Sequence, residues 1–189
     1  MLTLDLLIGA ADLSTGKRAY ERGDYTTALK EFLRLADQGD SQALLFVGSM
    51  LFDGKGLHQD KKRAIALFEL AADEGSAEAE LRLATLYGAG EGVQKDAAKA
   101  MYWNRRAADH GLPLAQFGMG WLTWAGQSGS PDRVQAYMWF SLCSASTAQC
   151  AKAQNLLITE MSAAQIDEAK QRVKQWLAKH GGVAEKKVQ

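Results

Sequence analysis

Three histidines, two cysteines and a series of glycine-rich turns are the residues of this chain best suited to chemistry, and their spacing tests each possibility in turn. His58, His110 and His180 are scattered through a turn, a helix end and the C-terminal helix, so no two have the spacing of metal ligands. The turns around Gly54-Lys55-Gly56 and Gly90-Glu91-Gly92 lack the Lys-Ser or Lys-Thr step that holds a nucleotide phosphate. No Gly-x-Ser-x-Gly elbow follows a strand, and no histidine stands beside a plausible nucleophile. Carboxylates such as Glu78 and Glu80 are two apart on a helix; they point in different directions and read as solvated surface. The expectation is a protein with no catalytic residues, no cofactor and no metal site.

Composition narrows the partners. The 189 residues carry 22 basic and 22 acidic side chains, a balance with no electrostatic footprint for nucleic acid or anionic lipid. With 47% hydrophobic residues the chain can bury a core as a single domain, and no apolar run is long enough to span a bilayer. The 31 alanines against 10 valines plus isoleucines favour helix, because alanine loses no side-chain entropy there. Met1 to Ala11 is apolar but holds Asp5 and no Lys or Arg. It reads as a first amphipathic turn packing Leu4, Leu7 and Ile8 on the first helix, with a truncated leader as the alternative.

The organising signal is a repeat. A shift of 36 residues aligns Gly39 with Gly75 and Gly111, Ala43 with Ala79 and Ala115, and Gly54 with Gly90 and Gly126. It also aligns Asp60 with Asp96 and Asp132, Leu67 with Trp103 and Trp139, and Ala71 with Ala107 and Cys143. A period of this length marks stacked units that bury their apolar faces only against neighbours. Within each period the apolar spacing is helical, as in Ala64, Leu67, Phe68, Ala71 and Ala72. Each unit is therefore a helix pair with a short turn ending on a glycine, and a longer glycine turn closed by an aspartate N-cap.

These residues resemble the Sel-one-like repeat family, relatives of tetratricopeptide repeats. The middle unit carries most of the pattern: Ala79, Leu83, Tyr87, Gly90, Gly92, Val93, Asp96, Lys99, Ala100, Trp103, Ala107, Ala108 and Gly111, with Ala84 where the family prefers Gly. The resemblance implies an all-α, right-handed α-α superhelix of about four 36-residue helix-turn-helix repeats. Units are expected near 24–59, 60–95, 96–131 and 132–160, with a short helix before Gly23 covering the first. After the third long turn, Gly126 to Asp132, the pattern stops. Met161 to His180 then places Ile166, Ala169, Val173, Trp176 and Leu177 on one face behind a Ser162/Gln165 capping box, which predicts a terminal capping helix, with Gly181 to Gln189 as a frayed tail.

Cys143 replaces a small helix residue and Cys150 begins the next helix, at positions that face each other across a hairpin. A disulfide and two buried thiols both fit. Cysteine-rich members of the family are similar in bridging these positions, though with one more intervening residue; a bridge would place the protein in the periplasm or outside the cell rather than the cytoplasm.

The resemblance also implies that the first helix of each unit lines a concave wall. Carried over by position, the partner-binding residues become Gln42, Leu45, Ser49 and Phe52; Glu78, Leu81, Arg82 and Thr85; and Leu114, Phe117, Trp121 and Trp124. Phe117, Trp121 and Trp124 form one stripe, read either as an aromatic platform or as a core seam. The function implied is a non-catalytic adaptor for a peptide, loop or protein. A bacterial envelope scaffold or a neutralising partner of a secreted toxin would fit. Hydrolysis of cell-wall-like compounds and a purely structural spacer are the competing readings.

Overall fold

The computed structural model describes residues 12–127 and 130–184, so the reading of Met1 to Ala11 lies outside the described residues. Among the described residues the secondary structure is ten helices and no strand. They are α1 (Leu13–Glu21), α2 (Tyr25–Ala36), α3 (Ser41–Asp53), α4 (Lys61–Asp73), α5 (Ala77–Ala89), α6 (Ala97–Asp109), α7 (Pro113–Trp124), α8 (Arg133–Ser144), α9 (Ala148–Ile158) and α10 (Ala163–Ala184). The chain divides into two compact units, Met1–Ala79 and Glu80–Gln189, with the boundary inside α5.

Helix starts follow from side-chain chemistry. Asp24, Asp40 and Asp60 accept from the backbone N–H of Thr27, Ala43 and Arg63, and in the second unit Asp96 and Asp132 do so from Lys99 and Gln135. Each satisfies one of the donors that a helix N-terminus leaves unpaired. In the long turn of the first unit, Gly56 has φ 73°, and a Cβ there would stand 2.6 Å from Tyr25 Cβ. No other residue fits that corner.

One contact recurs in the hairpins. Phe32, Phe68 and Phe140 are fully buried, each with its ring laid on a glycine of the preceding helix: Gly16, Gly48 and Gly120. A Cβ on Gly48 would lie 2.7 Å from the Phe68 ring and 3.2 Å from the Ala64 carbonyl oxygen. The missing methyl lets ring and backbone close to van der Waals contact, where many small dispersion terms add. In the first unit the Phe32 ring sits in a core with Ala28, Ala43, Val47 and Met50.

In the second unit Trp139 and Phe140 of α8 are both fully buried. Trp139 joins Met119, Ala107, Ala108 and Ala115, while Phe140 joins Val134, Tyr137, Ala153, Leu157 and Ala169. Helix α10 packs on this core through Ala169, Val173 and Trp176 and begins with the expected capping box: Ser162 N–H donates to Gln165 Oε1 and Gln165 N–H to Ser162 Oγ. Two expectations for this end need correction. Leu177 is 41% exposed, because the buried stripe turns away from it, and the helix runs on to Ala184 instead of fraying at Gly181.

Cys143 and Cys150 form a disulfide between α8 and α9, with Cα atoms 5.8 Å apart and both residues fully buried. The shortened loop is accommodated by Thr147, which caps α9 by accepting from Cys150 N–H, while its hydroxyl donates to Cys150 Sγ at 2.9 Å.

Two stability measurements check these contacts. Gly48→Ala raises helix propensity by about 1 kcal/mol, yet forces a methyl into an occupied space at a cost of roughly 1–3 kcal/mol, so urea unfolding should show a net loss. Closing a loop this short should contribute about 2–3 kcal/mol, so Cys143→Ser with Cys150→Ser, or reduction, should lower Tm.

Candidate functional site

In the first unit, the expected inner-facing residues of α3 divide between surface and core. Gln42 is exposed and accepts from Lys17 Nζ at 2.9 Å; Leu45 and Ser49 are half-buried, the Ser49 hydroxyl donating to the Leu45 carbonyl. Phe52 is a correction. At 4% exposure it is core, its ring 6.3 Å from that of Phe68 with Lys61 Nζ over its face, and it has no surface for a partner. Glu78, at the start of α5, is exposed.

In the second unit the aromatic stripe is neither wholly platform nor wholly seam. Phe117 is half-buried, 5.9 Å from the Phe140 ring. Trp124 is half-buried too; it stacks on Trp121 at 4.9 Å, and its indole N–H donates to Glu160 at 3.4 Å. Trp121 itself is 42% exposed, and Leu114 is 62% exposed one helical face away from the core. Arg82 and Leu81 are half-buried, and Thr85 is exposed with its hydroxyl donating to the Leu81 carbonyl at 3.0 Å.

Trp121 forms part of the wall of an open groove of about 530 Å³ between α5 and α7, with α6 as its floor. Leu81, Ala84, Thr85 and Gly88 come from α5, Ala97, Ala100, Met101 and Asn104 from α6, and Gly118, Trp121 and Leu122 from α7. The volume is in the range of ligand and peptide-anchor sites, and the lining is apolar except for a few hydroxyl and amide groups. Of the residues expected from sequence, the groove gathers Leu81, Thr85 and Trp121; it does not include Arg82, Leu114, Phe117 or Trp124. Asn104 and Gly118 were missed. The signal was available in the 36-residue shift, which sets Asn104 against Phe68 and Phe140, and Gly118 against Arg82.

The same unit holds a buried charge. Glu80 is fully buried, not solvated as its spacing from Glu78 suggested, because it lies on the face of α5 that packs on α6. His110 Nδ1 is 2.8 Å from Oε2, and Arg106 Nε is 2.9 Å from Oε1 as an ion pair. Burial raises the Glu80 carboxyl above the ordinary carboxylate value, against the opposing pull of His110 and Arg106. The cluster is closed from solvent on the carboxylate side and stands apart from the groove lining. Among the described residues no group of His, Cys, Asp or Glu side chains has the arrangement of a metal site, and no helix is long and apolar enough to cross a membrane.

Residues 41–76, 77–112 and 113–142 each match the Sel1 repeat, over half of the chain. The chain belongs to the Sel1 repeat family. Its fold is that of solved Sel1 repeat proteins. A Sel1 repeat protein from Oxalobacter formigenes superposes with a TM-score of 0.70 at 24% identity, over 77% of this chain and 60% of that one. A protective antigen of uropathogenic Escherichia coli displaying an SLR fold gives 0.53 at 22% identity, over 89% of this chain and 45% of that one. This chain thus spans only about half of each relative's length. No curated protein matches it. Sel1 repeats are generally non-catalytic scaffolds for protein interaction, and the all-helical repeat architecture is the fold expected of this chain.

The buried carboxyl makes a signed prediction. A folded-state pKa above the unfolded value means that the folded chain holds the proton to higher pH, so the contribution of Glu80 is complete below the ordinary glutamate range and is lost as pH rises through the raised value. Urea midpoints at pH 7 and pH 4.5 should show wild type gaining stability relative to Glu80→Gln on acidification; a gap that moves the other way refutes the assignment.

Proposed function

We propose that the protein is a non-catalytic adaptor whose second unit holds an extended or loop segment of a protein partner in the groove between α5 and α7. The observation that carries this reading is the combination of an open apolar groove of about 530 Å³ with a tryptophan, Trp121, that keeps 42% of its surface in solvent. A tryptophan half in contact and half exposed is the side chain that contributes most when a partner completes its burial. Helix α7 carries no charged residue along its whole length, so desolvating this wall on binding costs little. The balanced net charge speaks for a protein or peptide rather than nucleic acid.

The buried Cys143–Cys150 disulfide favours an oxidising compartment, periplasmic or secreted. There an adaptor of this kind would serve envelope assembly or hold a secreted partner. No nucleophile, base and oxyanion donor converge in the groove, which supports binding over hydrolysis.

The test replaces the wall residue with the one that the neighbouring repeat uses. Trp121→Thr copies Thr85, and because the ring is only partly packed the variant should stay folded. Affinity capture from the source cell should retain a defined partner with wild type and lose it, by at least about tenfold, with Trp121→Thr. Identical retained sets for the two proteins would sink the reading.

A further inference from the structure

We propose that the groove contains a socket for one tyrosine side chain of the partner, just outside the place where the other hairpins seat their own phenylalanine. This rests on the adaptor reading and deepens it.

The argument comes from the chain itself. In the α7–α8 hairpin the Phe140 ring lies on Gly120 and is enclosed by Phe117, Trp121 and Trp124, with ring centroids 5.8–6.3 Å away. Counting back 36 residues, Phe140 becomes Asn104, Gly120 becomes Ala84, and the three enclosing rings become Leu81, Thr85 and Gly88. All five of these residues line the groove. The groove therefore lies over the ring site of the repeat, with the shorter Asn104 side chain in place of the ring and the Ala84 methyl in place of the glycine. Its cover has gone as well, since a threonine and a glycine stand where two tryptophans close over Phe140.

What remains at the base is a polar group. Asn104 is half-buried, and its Nδ2 lies so near α7 that a Cβ on Gly118 would stand 3.3 Å from it. No protein group among the described residues hydrogen-bonds its amide. A largely apolar groove with an unpaired amide in its lining complements a phenol: the ring rests on Leu81, the Ala84 methyl and Trp121, and the hydroxyl pairs with Asn104. A phenylalanine would fill the same space but strip the amide of water without replacing its hydrogen bond.

The experiment uses the full chain labelled with ¹⁵N, and two probes, N-acetyl-tyrosinamide and N-acetyl-phenylalaninamide. The tyrosine probe should shift the Asn104 side-chain amide and the Trp121 indole resonances and bind at least about fivefold more tightly than the phenylalanine probe. Asn104→Ala should leave both probes bound but erase the difference. Asn104→Phe combined with Ala84→Gly restores the arrangement of the other hairpins; the glycine is needed because a Cβ crowds the ring at Gly48. That double variant should bind neither probe and have a raised Tm, and if it does not fold, Asn104→Ala alone decides. Equal affinities in wild type, no shift at Asn104, or binding that survives the double variant would overturn the socket. Loss of a captured partner on Trp121→Thr without probe selectivity overturns the socket and leaves the adaptor standing; selective probe binding with no partner lost does the reverse.

Discussion

The fold depends on an aromatic ring pressed against a helix that has no side chain at the point of contact. Gly16 with Phe32, Gly48 with Phe68 and Gly120 with Phe140 repeat this contact through both units. Each ring is fully buried, and each fixes the separation of its two helices at the closest approach the backbone permits. The other recurring features of the period serve that contact. Aspartate caps set where the second helix begins, the glycine turns set its direction, and alanines at Ala43, Ala79 and Ala115 keep the neighbouring surface flat.

A period imposed by packing turns every departure from it into a local event with a local cause. At Cys143 the small residue of the register becomes half of a covalent link, in the hairpin where the loop is one residue short and the repeat pattern fades. At Glu80 a carboxylate enters the α5–α6 contact, where it survives because His110 and Arg106 meet its two oxygens. Such a buried cluster costs desolvation that its ion pairs only partly return, in line with the raised pKa of the carboxyl.

The helix pairs, the caps and the terminal capping box were legible in the sequence because they rest on short-range rules, periodicity and side-chain-to-backbone hydrogen bonds; the disulfide stayed open against two thiols because its loop is one residue shorter than in bridged relatives. The exposure of individual side chains was not. Phe52 shares its place in the register with Trp124, and Trp121 with Ser49 and Thr85; all were expected to face inward, yet Phe52 is core and Trp121 is surface. Both rings meet a phenylalanine of the facing helix, Phe68 for Phe52 and Phe140 for Trp121, so an aromatic neighbour alone does not decide exposure; the larger indole keeps part of its surface beyond that contact. Glu80 was misread for a related reason, since spacing from Glu78 says that the two diverge but not which of them faces protein. Asn104 was readable in principle, because the same shift that exposes the repeat aligns it with two phenylalanines.

Stacked repeats make the loss of a ring at Asn104 tolerable. In such an architecture stability is close to a sum of unit and nearest-neighbour terms, so a deficit in one hairpin is offset by a surplus in another. Removing a buried phenylalanine from a core costs about 3–5 kcal/mol, and the disulfide of the α8–α9 hairpin contributes about 2–3 kcal/mol. Trp121 and Trp124, closed over Phe140, add apolar burial in the adjoining α7–α8 hairpin. A globular domain with a single core has no such freedom, because every core position there is shared. Here the hairpin that gave up its ring is flanked by one built more heavily than the rest, and the open groove lies on the underbuilt side of that pair.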